Sequence, residues 1–194
     1  MTVEIRQFGP ELLRRYGEVP IQFRVDSILR VEVLDDGLGG LRLAEAPVAQ
    51  PYVKDYDTYD PRGPAGWAER FDVSRWGFFQ ALDAGRPVGG AVVAFDTPSL
   101  HVLAGRTDLA VLWDIRVHPD WRGRGVGTCL FRHAADWART QGCRQLKIET
   151  QNVNVPACRF YAARGCRLAA IDRLGYAGDP RVAHEAMLVW CLDL

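Results

Sequence analysis

Apolar and polar residues alternate along the run LAVLWDIRV, residues 109–117, and this period of two predicts a β-strand. One face of the strand would carry Val111, Trp113, Ile115 and Val117, and the other Leu112, Asp114 and Arg116. Apolar residues at helical spacing follow from residue 126 and predict an amphipathic helix that Gly142 ends. The run QLKIET, residues 145–150, predicts a second strand. A strand, a helix and a strand in this order form a crossover unit with parallel strands.

The same patterns predict further elements on both sides of this unit. WGFFQAL and RPVGGAVVAF flank DAG, which indicates a hairpin with its turn near residues 83–85. The second strand of the hairpin is apolar on both faces and is therefore expected to be central. Asn154 stands at an N-cap position, Pro156 lies in the first turn after it, and Gly165 stands at the C′ position. A helix is therefore expected over residues 155–164. Strands are expected at residues 3–8, 27–33, 41–46, 167–176 and 185–192, and a short helix at 11–16.

A glycine-rich turn lies between the first of these strands and the amphipathic helix. Its sequence, RGRGVG, places Gly123, Gly125 and Gly127 where side chains would otherwise keep a ligand away from the backbone. The helix N-terminus adds unpaired N–H groups and a partial positive charge, and such a turn suits phosphate oxygens. Arg122 and Arg124 bring two positive charges. The spacing fits neither a Walker loop nor a dinucleotide fingerprint, and the alternative is a flexible turn with solvated arginines.

Composition and charge exclude several classes of protein. The 194 residues suit one domain, so residues 1–194 are expected to form a single one. The 24 basic and 24 acidic side chains balance, which speaks against a nucleic-acid partner. The N-terminus does not resemble a signal peptide and no run approaches about 18 apolar residues, so we expect a cytoplasmic protein without a membrane partner. Five cysteines without a C-x-x-C pair predict reduced thiols and no metal site.

The segment KDYDTYDPRGPAG, residues 54–66, predicts a long surface loop, because Pro and Gly interrupt any regular pattern. Three carboxylates, Asp55, Asp57 and Asp60, stand there beside three tyrosines of residues 52–59. Charge and cation–π contacts would let this loop bind a polycationic acceptor. The alternative is a loop that is only solvated.

The glycine-rich turn resembles the R-x-x-G-x-G/A pyrophosphate loop of the GNAT superfamily of acyl-CoA N-acyltransferases. The stretch NVPACRFYAARGC resembles that family's second signature. Asn154, Ala157, Tyr161 and Gly165 are in place, with Cys166 where an aromatic residue is usual. The resemblance covers about residues 76–192, and residues 1–75 would supply acceptor-side elements. A narrower resemblance, to streptothricin acetyltransferases, lies in ETQNVNVPACRFY, in residues 172–176 and in YVKDYD.

The GNAT resemblance implies a fold, a co-substrate and site residues. The fold would be α/β, more strictly α+β: a mixed, mostly antiparallel sheet whose two parallel strands splay apart, flanked by helices. Acetyl-CoA would be the co-substrate, without a metal, and its pantetheine arm would pair with the backbone of Ile115 and Val117. The other cofactor-binding residues would be Arg122, Gly123, Arg124, Gly125, Val126, Gly127, Thr128 and Asn154.

Three side chains are candidates for the chemistry. A lysine-like amine has a pKa near 10.4 and is neutral in about one molecule in a thousand at pH 7, so the site must accept a proton. Asp114 is the first candidate base, with an ion-paired aspartate as the alternative reading. Glu149 is the second, with a simple rim charge as the alternative. Either carboxylate could act through a water or merely hold the cationic amine. The resemblance makes Tyr161 the acid toward the departing thiolate, for which hydrogen-bond donation is sufficient; the alternative is a tyrosine packed in the core.

These features predict an acetyl-CoA-dependent N-acetyltransferase that modifies a primary amine of a small cationic acceptor, such as a streptothricin-like antibiotic. No cysteine stands at a motif position, which favours direct attack of the amine on the thioester. A protein N-terminal or lysine acetyltransferase is one alternative, and a non-catalytic acyl-CoA-binding sensor module is another. Both a monomer and a homodimer are compatible with the sequence.

Overall fold

The computed structural model of the chain describes residues 3–194. Its strands are β1 (Glu4–Gln7), β2 (Phe23–Leu34), β3 (Gly40–Lys54), β4 (Gly77–Asp83), β5 (Arg86–Ala94), β6 (Leu109–Val117), β7 (Gln145–Gln151), β8 (Arg167–Asp172) and β9 (Met187–Asp193). Its α-helices are α1 (Leu13–Tyr16), α2 (Trp67–Arg70), α3 (Val126–Thr140) and α4 (Val155–Ala162). Within residues 3–194, no helix combines the length and the apolar character that crossing a bilayer requires.

The chain divides into two compact units. The first comprises the chain up to Gln22, Asp55–Lys147 and Asp193–Leu194, and the second comprises Phe23–Lys54 and Ile148–Leu192. The expectation that residues 1–194 form a single domain stays a prediction.

In the first unit, β1, β4, β5 and β6 lie side by side in this order, each antiparallel to its neighbour, and the beginning of β7 follows β6. The predicted hairpin is confirmed, because Asp83 of β4 pairs with Arg86 of β5. Its two turn residues, Ala84 and Gly85, have φ of +46° and +81°. Positive φ at both positions is the turn geometry that suits the twist of a hairpin. The central position predicted for β5 is also confirmed, and this strand is buried from Val88 to Ala94.

Two adjacent glycines of β5 mark the layers on either side of the first unit's sheet. A Cβ atom on Gly89 would lie 3.1 Å from Leu130 and 3.3 Å from Val126, so α3 covers this face. A Cβ atom on Gly90 would lie only 2.3 Å from the ring of Tyr16 on the opposite face. Tyr16 belongs to an aromatic-rich core whose other members include Leu13, Trp67, Val73, Trp76, Phe78, Val92 and Val111.

A β-bulge in β6 changes which of its side chains share a face. Asp114 pairs with Val92 of β5 and Leu112 pairs with the next residue, Val93, so Trp113 is an extra residue in the ladder. A bulge sets two residues opposite one and reverses the alternation beyond it. Val111 therefore packs in the same core as Tyr16, whose hydroxyl reaches Asp114. The prediction that Val111 lies opposite Asp114 was wrong for this reason.

In the second unit, β2 and β3 form a two-stranded antiparallel sheet, and both strands are longer than predicted. The end of β7 is followed by β9 and then by β8, which is antiparallel to β9. The Asn152 side chain, directly after β7, donates to the carbonyl of Leu29 and accepts from the amide of Ala186, both at 2.9 Å. β8 ends at Asp172, short of the predicted residue 176. Its carboxylate accepts from the amide of Leu174 at 2.8 Å, and this side-chain turn ends the strand.

Candidate active site

The glycine-rich turn opens α3 and faces open space. Gly123 and Gly125 have φ of +72° and +85°, a backbone region that favours glycine. A Cβ atom added to either glycine would meet no atom within 4 Å. The helical ladder starts with the amide of Cys129 bound to the carbonyl of Gly125 at 3.0 Å. The turn therefore offers an exposed backbone and the N-terminus of a 15-residue helix, which fits a diphosphate.

The two arginines of the turn have partners within the protein. Arg122 Nε donates to the carbonyl of Val117 at 3.0 Å, and Nη2 donates to that of Gln22 at 2.7 Å. The guanidinium of Arg124 lies 5.4 Å from the centre of the Trp121 ring. Arg122 thus fastens the turn to the end of β6, and the expected role of both arginines toward a phosphate stays a prediction.

Asp114, the first candidate base, lies in a buried cluster. Its carboxylate accepts a short hydrogen bond from the hydroxyl of Tyr16. It also accepts two from Arg116, from Nε at 2.9 Å and from Nη2 at 2.8 Å. Burial and the Asp114 charge raise the pKa of Tyr16 well above its ordinary value, so this phenol is a donor. Asp114 thus has the ion-paired arrangement that was the alternative to a base.

Arg116 also connects the cluster to residues 54–66, called the acidic segment below because it contains Asp55, Asp57 and Asp60. Its Nη1 donates to Asp57 at 3.0 Å and to the carbonyl of Val19 at 3.1 Å, and its Nη2 donates to Asp57 at 3.2 Å. Burial alone would lower the pKa of Arg116, but the charge and hydrogen bonds of Asp114 outweigh it and the pKa is raised. Burial raises the pKa of Asp57, and the hydrogen bonds from Arg116 offset part of that rise.

The three aspartates of the acidic segment have different surroundings. Asp55 caps the 3-10 turn Tyr56–Tyr59 by accepting from the amide of Asp57 at 3.0 Å. Asp60 forms ion pairs with Arg62 at 3.3 Å and Arg70 at 3.2 Å. A second 3-10 turn, Gly63–Gly66, has two buried residues. The predicted surface loop is therefore partly wrong, because these turns pack against the unit, and only Asp57 joins Asp114.

Glu149, the second candidate base, is exposed on β7 in the second unit. Its carboxylate accepts a hydrogen bond from the hydroxyl of Tyr176 at 2.9 Å. The same hydroxyl oxygen accepts from Nε2 of Gln151 at 3.0 Å. This chain of hydrogen bonds orients the Glu149 carboxylate while leaving it open to solvent.

Asn154 and Tyr161 lie at the start and near the end of α4. The side chain of Asn154 accepts from the amide of Ala157 at 3.2 Å, which confirms the predicted N-cap. Tyr161 is buried, and its ring meets that of Phe160 edge to face with centroids 5.4 Å apart. The expected contacts of Asn154 with a cofactor and of Tyr161 with a thiolate stay predictions.

Sequence comparison decides the family. Residues 42–166 match the acetyltransferase (GNAT) family. The streptothricin acetyltransferase of Streptomyces lavendulae is 30% identical over 186 residues, which cover 96% of this chain and 93% of that protein. The chain belongs to the GNAT acetyltransferase family. Streptothricin acetyltransferase A of Bacillus subtilis (strain 168) is another relative of this GNAT enzyme, 38% identical over 42% of this chain and 46% of that protein.

Solved structures share the fold of this GNAT enzyme. Nourseothricin acetyltransferase gives a TM-score of 0.78 at 27% identity, covering 100% of this chain and 99% of that one. A Bacillus anthracis str. Ames protein solved in complex with acetyl coenzyme A gives 0.75 at 23% identity, covering 100% of both chains. The predicted fold class is confirmed: one large, mostly antiparallel sheet with a parallel pair, flanked by helices.

The sequence did not indicate three residues of the GNAT enzyme's candidate sites as site residues: Tyr16, Arg116 and Tyr176. A signal for Tyr16 existed in Gly90, since glycine within a buried strand often marks the close approach of another group. Tyr176 had no comparable signal, because its partner Glu149 lies 27 residues away in the sequence.

For this GNAT chain, the sequence also predicts reduced cysteines and no metal site. The five cysteines are free thiols. Burial raises the pKa of Cys158 to about 12 and that of Cys143 to about 11, so both are poor nucleophiles. Among residues 3–194, no three His, Cys, Asp or Glu side chains are grouped in a way that suits a metal ion. The absence of a metal from the reaction stays a prediction.

Proposed function

We propose that this GNAT enzyme transfers the acetyl group of acetyl-CoA to a primary amine of a small, cationic acceptor of the streptothricin type. The exposed glycine-rich turn at the start of α3 carries the proposal, since its open backbone suits a coenzyme A diphosphate. The likeness to the Streptomyces lavendulae enzyme over 96% of the chain supports the acceptor class.

The turn and β6 would hold the co-substrate. The backbone of residues 123–128 binds the diphosphate, and Arg122 keeps the turn fixed against Val117 at the end of β6. Ile115 and Val117 offer their backbone to the pantetheine arm, and Asn154 holds the start of α4. Acetyl-CoA supplies the acyl group, and the chain's residues supply binding and proton transfer.

Glu149 is the residue we assign to accept the proton of the acceptor amine, directly or through a water. Asp114 is less suited, because Tyr16 and Arg116 already donate to its carboxylate and Arg116 holds both of its oxygens. Glu149 is exposed, and its carboxylate accepts from Tyr176 at only one oxygen, Oε1. A carboxylate oxygen has about two lone-pair sites, so Glu149 retains capacity for a proton.

Tyr161 would donate a hydrogen bond to the thiolate as the C–S bond breaks and the new N–C bond forms. Ordinary pKa values of about 10 for a tyrosine and 8.5 for a thiol make hydrogen-bond donation easier than complete proton transfer. Burial on α4 suits this role, since a hydrogen bond is stronger where water is excluded.

A panel of acceptors tests the proposed function. Purified protein with acetyl-CoA would be offered a streptothricin, an aminoglycoside, a polyamine and peptides with free N-termini or lysines, and thiol release would be measured. We expect the streptothricin to give the highest kcat/KM. Preferred turnover of a peptide would support the protein acetyltransferase instead. Saturable acetyl-CoA binding without thiol release on any amine would support the sensor module.

A further inference from the structure

The cluster of Tyr16, Asp114, Arg116 and Asp57 carries an unbalanced charge. Two carboxylates face one guanidinium, and Tyr16 is neutral, so the cluster has one net negative charge. We propose that Asp57 binds a cationic group of the acceptor, and that Tyr16, Asp114 and Arg116 are positioning residues that hold its carboxylate. This inference rests on the proposed function, and it specifies a cationic group as the part of the acceptor that the first unit binds.

The guanidinium of Arg116 is fully used inside the protein. It has five N–H groups, and the structure provides five acceptor contacts for them. Three of these contacts go to Asp114 and to the carbonyl of Val19, and two go to Asp57. Arg116 therefore has no N–H left for a substrate carboxylate or phosphate, and its role is to place Asp57.

The exposure of the three charged side chains shows which of them presents the net negative charge to solvent. The side chain of Arg116 is 1% exposed and that of Asp114 is 7% exposed, whereas that of Asp57 is 31% exposed. The inner pair, Asp114 and Arg116, is neutral as a pair. The remaining negative charge thus lies at the solvent end of the cluster, on Asp57.

An ammonium group matches this end of the cluster in charge and in hydrogen bonding. Each oxygen of Asp57 accepts one hydrogen bond from Arg116, and a carboxylate has about four lone-pair sites, so about two sites remain for a ligand. A partly buried carboxylate without a full counter-charge gains from a cation more than a solvated one does. The raised pKa of Asp57 has the same cause, which is burial.

The other acidic side chains of the segment lack this arrangement. Asp55 caps a turn through the amide of Asp57. Asp60 is paired with two arginines, Arg62 and Arg70. Asp57 differs because a buried arginine shared with a second carboxylate holds it, which fixes its position without cancelling its charge.

Direct binding tests the proposal independently of turnover. The protein would be saturated with coenzyme A and titrated with a streptothricin, and in parallel with spermidine, by calorimetry. We expect Asp57→Asn to weaken binding of both cations about tenfold or more, the effect of losing one charge-assisted contact. Asp108→Asn is the matched control, since Asp108 pairs with Arg106 at 2.8 Å in an exposed, balanced pair of the same unit.

Tyr16→Phe tests the positioning part, because it keeps the ring and removes only the hydroxyl that donates to Asp114. We expect it to weaken cation binding and raise KM for the acceptor about threefold, with the affinity for acetyl-CoA and kcat unchanged. Arg116→Lys should act in the same direction, and Asp57→Glu should restore part of the binding.

Two results would overturn the inference: equal cation affinity of Asp57→Asn and the wild type, or no cation binding by the wild type. Cation binding that depends on Asp57, without acetylation of any amine, would instead refute the proposed function and leave the role of Asp57 intact.

Discussion

Arg116 holds both oxygens of Asp114, through Nε at 2.9 Å and Nη2 at 2.8 Å. The two residues are neighbours on one face of β6, and both are buried. Such a two-point, charge-assisted contact is stronger and more directional than a single hydrogen bond. A carboxylate bound in this way stabilises the strand and is poorly placed to take a proton from an amine.

The first prediction concerns the stability that this pair provides. Asp114→Asn should lower the free energy of unfolding by about 3–5 kcal/mol, because it leaves the Arg116 charge with less compensation in a buried place. Denaturant unfolding followed by fluorescence measures the change. Asp136→Asn, at an exposed pair with Arg139, is the control and should have little effect. A variant with wild-type stability and abolished turnover would return Asp114 to the role of base.

The second prediction concerns Gly90, which makes room for Tyr16. An alanine Cβ would lie 2.3 Å from the Tyr16 ring and 2.8 Å from the carbonyl of Phe79, so Gly90→Ala should cost about 1–3 kcal/mol of stability. Thermal unfolding gives the measurement. Gly178→Ala is the control, since no atom lies within 4 Å of its Cβ position. Equal melting temperatures for the two variants would contradict the close packing of Tyr16 against Gly90.

The third prediction concerns the glycine-rich turn. Gly125→Ala should weaken acetyl-CoA binding about tenfold, because the added methyl group occupies the side from which a diphosphate approaches the backbone. Gly105→Ala is a close control: its φ of +68° imposes a similar backbone strain, and its Cβ position is equally open. Calorimetric titration with acetyl-CoA compares the two. The same loss of affinity in both variants would mean that strain, and not the turn, is responsible.

The fourth prediction concerns Glu149 and its partner. Glu149→Gln should lower kcat about 10²-fold as a proton acceptor is lost, with acetyl-CoA affinity retained. Tyr176→Phe removes the hydroxyl that orients the carboxylate, so a smaller loss is expected. Steady-state kinetics with the preferred acceptor measure both. If Glu149→Gln turns over like the wild type, Glu149 is a rim charge and the base lies elsewhere.

The fifth prediction concerns Tyr161. Tyr161→Phe retains the buried ring and its contact with Phe160, and it should lower kcat by about 10²-fold while binding acetyl-CoA normally. Unchanged turnover would mean that Tyr161 is a core residue alone.

The sequence could predict those parts of the fold and of the site that depend on neighbouring residues. The hairpin at Ala84 and Gly85, the cap at Asn154 and the glycine-rich turn were all predicted at their positions, since each requires particular backbone angles or a local hydrogen bond. The GNAT family was predicted from two such local stretches for the same reason.

By itself, then, the sequence determined most of the elements, their order and the family, because periodicity and turn chemistry act over a few residues. Tertiary structure alone decided that Asp57 shares Arg116 with Asp114 and that Tyr16 donates to Asp114. Those contacts join residues 59 and 98 positions apart in the chain. They also depend on one extra residue, Trp113, which reverses the faces of β6. A contact of this kind is fixed by strand register and packing, which no local pattern records.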